Sequence, residues 1–178
     1  MSFSIVENEE ARLRVLTGLG VLDTEPHPAF DALCQRAATA YAAPIALISF
    51  VDRDRQWFKS RVGLTCDQTD REFSFCSHAI LRDEPLMISD ATKDPRFSNN
   101  PLVTGAPFIR FYAGAPLFYG DQIRLGTLCI VDTKPRSADQ MNLSLLQVLA
   151  DEVAGELWVH HEAVLEAAAN AKARVLTR

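Results

Sequence analysis

The sequence predicts an α+β domain in which helices pack on a central antiparallel sheet. Three observations support this fold class: two helical segments precede the first strand, the strands form two hairpins, and a long helical pattern follows them. The 178 residues suffice for one domain with an extension. With 48% apolar and 23% charged residues, the chain can bury a core of its own.

Two amphipathic helices open the chain. In the first, predicted over 5–19, Leu13, Leu16 and Leu19 recur at three-residue spacing among charged neighbours. The second is predicted over 28–42, where a proline can occupy the first helical turn and apolar residues mark one face. Each helix therefore has one side to bury.

Four segments read as strands of two hairpins. Residues 44–51 are apolar at successive positions, which predicts a central strand covered on both sides, and 56–62 alternate as a half-exposed strand does. After the irregular middle, 110–118 and 124–131 form a second pair, in which Pro116 indicates a bulge or an edge.

The middle of the chain, residues 66–107, is the least regular part. It contains a predicted short helix after Ser74, a short strand at 86–89 and loops rich in proline and asparagine. Long irregular segments of this kind are often functional.

A single long helix is predicted from Ser137 to the end of the chain. Forty helical residues would extend about 60 Å, whereas a compact chain of this size has a radius of gyration of about 16 Å. The helix should therefore protrude and need a partner, either a second copy or a connected domain. Its apolar seam consists of Leu146, Leu149, Val153, Leu157, His160, Val164, Ala168, Ala171 and Val175.

Composition argues against several classes of partner. A net charge of −5 with scattered Lys and Arg residues does not favour nucleic acid. No apolar run is long enough to span a bilayer and the N-terminus lacks a signal pattern, so a cytoplasmic location without membrane partners is expected. The four cysteines have no metal or disulfide spacing and are interpreted as reduced thiols. The histidines lie too far apart to predict a metal site.

Eight short stretches in one order, within about residues 9 to 155, resemble the bacterial GAF domain family. Members of the branch of the family that this chain resembles often precede histidine-kinase or diguanylate-cyclase output domains. The stretches are 19–24 (LGVLDT), 51–52 (VD) with 55–59 (RQWFK), 74–80 (SFCSHAI), 94–97 (DPRF), 100–103 (NPLV), 110–117 (RFYAGAPL), 125–129 (LGTLC) and Asp132 with 135–136 (PR).

The resemblance implies a GAF-like (profilin-like) central antiparallel sheet, with helices on one face and a pocket roofed by the irregular middle on the other. Residues 1–136 would form the core and 137–178 the long helix, partly packed on the sheet and partly a dimer or connector helix. The ligand is unknown. The candidate ligand-binding residues are Trp57, Phe58, Phe73, Phe75, Cys76, His78, Asp94, Arg96, Phe97, Phe108, Arg110, Phe111 and Tyr112.

These residues have two interpretations. The aromatic side chains would form an apolar cleft with a few polar groups, and an arginine in it would favour an anionic ligand. Alternatively the aromatics fill the core, while Arg96 and Arg110 brace loops or pair with carboxylates. The sequence leaves both open.

Cys76 also has alternative roles. Bilin-binding relatives place His directly after the attaching Cys, whereas Ser77 intervenes here before His78, so bilin attachment is not expected. A haem cofactor is not expected either. If Cys76 were a low-pKa thiol at the start of a helix and Cys66 resolved a disulfide with it, the protein would be a cysteine redox enzyme such as a GAF-fold methionine sulfoxide reductase. The other alternative is a small buried cysteine that packs the helix.

The favoured interpretation is a sensory or regulatory GAF domain in signal transduction, not an enzyme itself. It would bind an unidentified small molecule, anionic if an arginine lines the cleft, or act as a relay that forms a homodimer through its terminal helices. A downstream kinase or cyclase domain would receive the signal.

Overall fold

A six-stranded antiparallel sheet forms the centre of the computed structural model, which describes residues 5–176. The strands lie in the order β3-β2-β1-β6-β5-β4. They are β1 (Ile45–Val51), β2 (Arg55–Val62), β3 (Gln68–Asp70), β4 (Leu86–Ile88), β5 (Phe111–Tyr119) and β6 (Ile123–Asp132). The helices are α1 (Glu9–Gly18), α2 (Pro28–Ala40), α3 (Phe75–Ala79), α4 (Pro101–Thr104) and α5 (Leu143–Leu176). The predicted fold class is confirmed.

Strand β1 is apolar on both faces because a hydrophobic layer covers each side of the sheet. Ala46, Ile48 and Phe50 point into the core formed with α1, α2 and α5. Ile45 and Leu47 point the other way, into a second core beneath the irregular middle. Alternate residues of a strand face opposite sides, so one apolar run serves two cores.

The long helix begins later than the sequence predicts, at Leu143 instead of Ser137. A separate 3-10 helix occupies Ala138–Gln140, and its first turn is closed by a capping box between Ser137 and Gln140. The chain is extended at Met141, and the side chain of Asn142 then accepts a hydrogen bond from the amide of Leu145. Two consecutive caps therefore replace the single helix start that the sequence suggests.

Helix α5 has a buried half and an exposed half. Leu146, Leu149, Val153 and Leu157 are 0–4% exposed and pack on the sheet. From Glu162 to Val175 every residue is exposed. The first half of the predicted apolar seam is thus packed in the core of the domain, and only the seam residues from Val164 onwards are exposed.

The irregular middle contains elements that the sequence does not predict. These are the short strand β3, a 3-10 helix at Arg71–Phe73 and the four-residue α4. The predicted short helix after Ser74 is confirmed as α3, in which the Ser74 hydroxyl accepts a hydrogen bond from the amide of Ser77. None of the described helices is long and apolar enough to cross a membrane.

A buried ion cluster joins α1 to the turn after β1 and to the 3-10 helix. The Glu9 carboxylate accepts hydrogen bonds from Arg12 (2.8 and 3.0 Å) and from Arg71 (2.5 Å). The Arg12 and Arg71 side chains are 0% and 1% exposed. Each guanidinium also donates to backbone carbonyls, Arg12 to Val51 and Arg71 to Asp52. One carboxylate therefore serves two buried cations.

Candidate functional site

The second core contains five of the predicted ligand-binding residues, all buried. Phe58, Phe75, Cys76, Phe97 and Tyr112 are 1–3% exposed. The rings of Phe75 and Phe97 stack with centroids 4.1 Å apart, and the Tyr112 ring lies 5.2 Å from that of Phe75. These aromatic side chains fill the space beneath the irregular middle instead of lining an open cleft.

Two predicted residues lie on the other side of the sheet. Trp57 and Phe111 belong to the core beneath the helices, so they do not share a wall with Phe75 and Tyr112. Their strand neighbours explain the difference: Phe58 follows Trp57, and Tyr112 follows Phe111, with the opposite orientation. The expectation that all these aromatics line one pocket is corrected accordingly.

Arg110 and Phe108 also differ from the expected arrangement. The Arg110 guanidinium donates to the backbone carbonyls of Val103 and Ile109, at 2.9 and 3.0 Å, and so braces the loop after α4. Phe108 is 50% exposed and has a positive φ of 61°. For Arg110 the loop-bracing alternative describes the structure.

His78, Asp94 and Arg96 come together at the surface of the second core. Asp94 binds Arg96 through two hydrogen bonds of 2.9 and 2.6 Å, and the guanidinium lies over the Phe97 ring at 5.2 Å. The His78 ring meets the edge of Phe97 at 4.8 Å. Burial, and then the Arg96 charge, lower the pKa of His78, while Asp94 acts in the opposite direction. Because Asp94 already neutralises Arg96, this site does not present a bare positive charge.

A groove of about 310 Å³ lies beside this cluster. Phe73 and Arg96 face it. A second groove of about 310 Å³ is lined by two other predicted residues, Trp57 and Phe58. Asn100 closes one side by donating to the Phe73 carbonyl at 3.0 Å. The complete lining is Glu72, Phe73, Pro95, Arg96, Asn99, Asn100 and Pro101.

Cys76 has a sulfur neighbour that the sequence analysis did not identify. Its Sγ lies 4.0 Å from the Sγ of Cys129, whereas Cys66 is exposed on the segment between β2 and β3. The hydroxyls of Thr127 and Tyr112 donate to the Cys76 sulfur at 3.1 and 3.3 Å. Cys76 therefore lies in a small polar cluster within an apolar core.

The two thiols of this cluster differ in acidity. The Cys129 contact, followed by the hydroxyls of Thr127 and Tyr112, lowers the pKa of Cys76 to about 6 against the effect of burial. The Cys76 contact, together with burial, raises the pKa of Cys129. Burial raises the pKa of Cys34 to about 11, although the Ser60 hydroxyl lowers it. Cys76 is the thiol that more readily loses its proton.

Strand alternation predicts one part of the cluster, the shared orientation of Thr127 and Cys129, once the phase of β6 is known. Thr127 and Cys129 are two residues apart on β6, and therefore face the same side of the sheet. Gly114 lies opposite Cys129 on β5, and a Cβ there would sit 2.1 Å from the Tyr112 hydroxyl oxygen. The glycine of the Phe-Tyr-Ala-Gly stretch leaves the space that this hydroxyl occupies.

No group of three or more metal-binding side chains is present among residues 5–176.

Comparisons with known proteins place this fold in a family. The family model for the GAF domain matches residues 25–157. A cyclic di-GMP phosphodiesterase of Pseudomonas aeruginosa is 45% identical over 130 residues, which are 73% of this chain. The match covers only 22% of that protein's own length.

Solved structures share the fold at low sequence identity. The GAF domain of an Acinetobacter phosphoenolpyruvate-protein phosphotransferase superposes with a TM-score of 0.62 at 18% identity, covering 89% of this chain and 97% of that one. The free methionine-R-sulfoxide reductase of Neisseria meningitidis gives 0.62 at 17% identity, with coverage of 92% and 98%. At such identities the likeness concerns the fold alone. Given the family match over more than half of its residues, the chain belongs to the GAF domain family.

Proposed function

We propose that this GAF domain is a sensory module that passes a signal along α5 to a partner helix and to a signalling output domain. The observation that carries the proposal is the division of α5 into a half packed on the sheet and a second half, 162–175, in which every residue is exposed. A helix that is part of the core at one end moves with the core. Its other end is then available to transmit that movement.

A second copy of the chain is the partner that we propose for α5. The outer side of the helix exposes large apolar residues both within and beyond the packed half, among them Val148, Val159 and Leu165, which are 54–59% exposed. A large exposed apolar surface favours association, and identical chains offer each other the same surface. The buried seam residues, by contrast, are occupied within the domain.

Removing the exposed half of α5 tests this role. A chain ending at His161 keeps Leu157, the last buried residue of the helix, and should retain its fold with a Tm within a few degrees of the full chain. We expect the full chain to be a dimer by light scattering and the shortened chain to be a monomer. A monomeric full chain, or a shortened chain that remains dimeric, contradicts the proposal.

Val159→Glu in the full chain provides a matched control. It places a charge on the outer side of α5, where the side chain is 59% exposed, and so leaves the domain core untouched. The dimer should weaken while the Tm of the domain stays near that of the parent. Val153→Ala, in the core, should do the reverse and lower the stability by about 1 to 3 kcal/mol.

The Pseudomonas aeruginosa relative supports a signalling context. That protein is a cyclic di-GMP phosphodiesterase in which the matching region is about a fifth of the whole. We propose that this chain likewise regulates an output activity and does not supply one. The alternative of a Cys66–Cys76 redox enzyme finds no support in the site, because Cys76 contacts Cys129 instead.

The groove beside Phe73 and Arg96 is the place that we propose for a small ligand. It combines an aromatic ring, amide groups and a guanidinium that Asp94 holds in position. Native mass spectrometry of freshly purified protein should show a bound small molecule, and Phe73→Ala should abolish the adduct without altering the Tm by more than a few degrees. An adduct that persists in the variant would place the ligand elsewhere, and no adduct in either protein would remove the ligand from the proposal.

A further inference from the structure

Cys76 and Cys129 form a pair of buried thiols that the proposed sensory role does not use. They belong to α3 and β6, and their sulfur atoms lie 4.0 Å apart. Both are at most 2% exposed. A pair of thiols in contact can be converted to a disulfide by a two-electron oxidation, provided that one sulfur reacts as the thiolate.

We propose that Cys76 and Cys129 are a redox modification site, oxidised to an internal disulfide by hydroperoxides. Cys76 is the attacking thiol, since Thr127 and Tyr112 point their hydroxyls at its sulfur and stabilise a negative charge there. Both hydroxyls donate to Cys76 and not to Cys129, which is therefore the resolving thiol.

The reaction balances with one hydroperoxide. The Cys76 thiolate attacks the terminal peroxide oxygen, an S–O bond forms as the O–O bond breaks, and an alcohol, or water from hydrogen peroxide, leaves after protonation. The sulfur of Cys129 then attacks the sulfenic acid of Cys76, which forms the S–S bond and expels hydroxide. The hydroxide takes the Cys129 proton and departs as water. Two thiols thereby lose two electrons and two protons in total.

A chain of hydrogen-bonded polar side chains connects the thiols to the sheet edge. Ser49 faces the second core beside Cys76 and donates to Gln56 Oε1 at 3.4 Å. The Ser74 hydroxyl, which caps α3, donates to the same oxygen at 2.7 Å, and Gln56 donates to the half-buried Thr69 at 2.6 Å. Thr69 lies on β3, a three-residue edge strand. Local opening of this short edge would bring water and hydrogen peroxide to the thiols through hydrogen-bonding groups.

Cys34 is the internal reference for the experiment. It is as buried as Cys76, but its sulfur contacts the Ala46 carbonyl and has no pair of hydroxyl donors. Mere exposure to oxidant through global unfolding would modify Cys34 and Cys76 alike. Faster reaction at Cys76 would therefore identify the cluster as the cause.

The test is timed oxidation of the reduced full chain with hydrogen peroxide, followed by denaturation, alkylation and non-reducing peptide mapping. We expect a peptide pair joined by a Cys76–Cys129 disulfide, formed at least tenfold faster than any modification of Cys34. The Cys66→Ser variant should give the same product at the same rate, since the exposed thiol has no part in it. A disulfide between Cys66 and Cys76, or equal rates at Cys34 and Cys76, overturns the proposal.

Two further variants resolve the steps. In Cys129→Ser, Cys76 should stop at the sulfenic acid and be trapped by dimedone. In Tyr112→Phe, which keeps the ring and removes one donor, disulfide formation should slow at least threefold at pH 7. No trapping in the first variant and no slowing in the second would show that Cys76 is not the attacking thiol. A comparison of Tm values verifies that each variant is folded.

Discussion

Replacement of Glu9 by glutamine is expected to lower the free energy of unfolding by about 3 kcal/mol. The substitution removes the negative charge that the buried guanidinium groups of Arg12 and Arg71 share, and loss of one partner of a buried ion pair typically costs this much. Urea denaturation followed by far-UV circular dichroism measures the difference. An unchanged midpoint would mean that the cluster contributes no net stability.

Glu10→Gln is the matched control for this substitution. Glu10 is the next residue of α1 and also pairs with an arginine, Arg53, at 2.9 and 3.1 Å. Both side chains are mostly exposed, at 70% and 60%. Exposed ion pairs add little to stability because water screens them. We therefore expect no measurable shift in the unfolding midpoint.

The Glu9 cluster also predicts an acid-sensitive stability. Burial alone would raise the pKa of the Glu9 carboxyl, but hydrogen bonds from Arg12 and Arg71 outweigh it and lower the pKa to about 2. Since the pKa is lower in the folded state than in the unfolded state, the contribution is complete above about pH 4.5 and is lost as the pH falls towards 2. The parent protein should lose more stability over this interval than Glu9→Gln does.

Gly126→Ala is expected to destabilise the domain by about 3 kcal/mol, the upper part of the range for an overpacked core. Gly126 lies opposite Phe50, where β6 and β1 pair at the centre of the sheet. A Cβ at this position would lie 1.9 Å from the Ser49 carbonyl oxygen and 2.8 Å from the Phe50 Cα. The contact is with backbone, so the two strands would have to separate. Thermal unfolding of the purified variant measures the cost.

Gly155→Ala tests whether the Gly126 effect comes from close packing or simply from loss of a glycine. Gly155 lies within α5, and an added Cβ there has no heavy atom within 4 Å. Alanine has a higher helix propensity than glycine, so this variant should gain up to about 1 kcal/mol. If both variants lost stability to the same extent, the close approach at Gly126 would not explain the result.

The fold was predictable because its main signals are local. The run of apolar residues in β1 indicates a strand that is covered on both sides. The short stretches that resemble the GAF family occur in one order along the chain. Helix α5 was predicted from its apolar periodicity. Its start was not, because Ser137 and Asn142 are both good caps and only the structure shows that each is used.

The arrangement of the candidate site was less predictable because it depends on strand phase and on distant contacts. Trp57 and Phe58 are adjacent in one stretch, yet they belong to opposite cores. Cys76 and Cys129 are 53 residues apart, and Glu9 and Arg71 are 62 apart. No spacing rule connects such residues. Only the packing of α3 against β5 and β6 brings the cysteines together.

Because one half of α5 is packed on the sheet, a small tilt of that half produces a larger displacement at the other end of the helix. From Leu157 to Leu176 the helix rises by 19 residue steps, which is about 28 Å. A tilt of about 5° around Leu157 would move the far end by about 2.5 Å, a displacement comparable with helix shifts that switch subunit interfaces. A movement of the sheet that leaves the hydrogen bonds between its strands intact could therefore displace the tip of α5 enough to change the contacts of the tip with a partner helix.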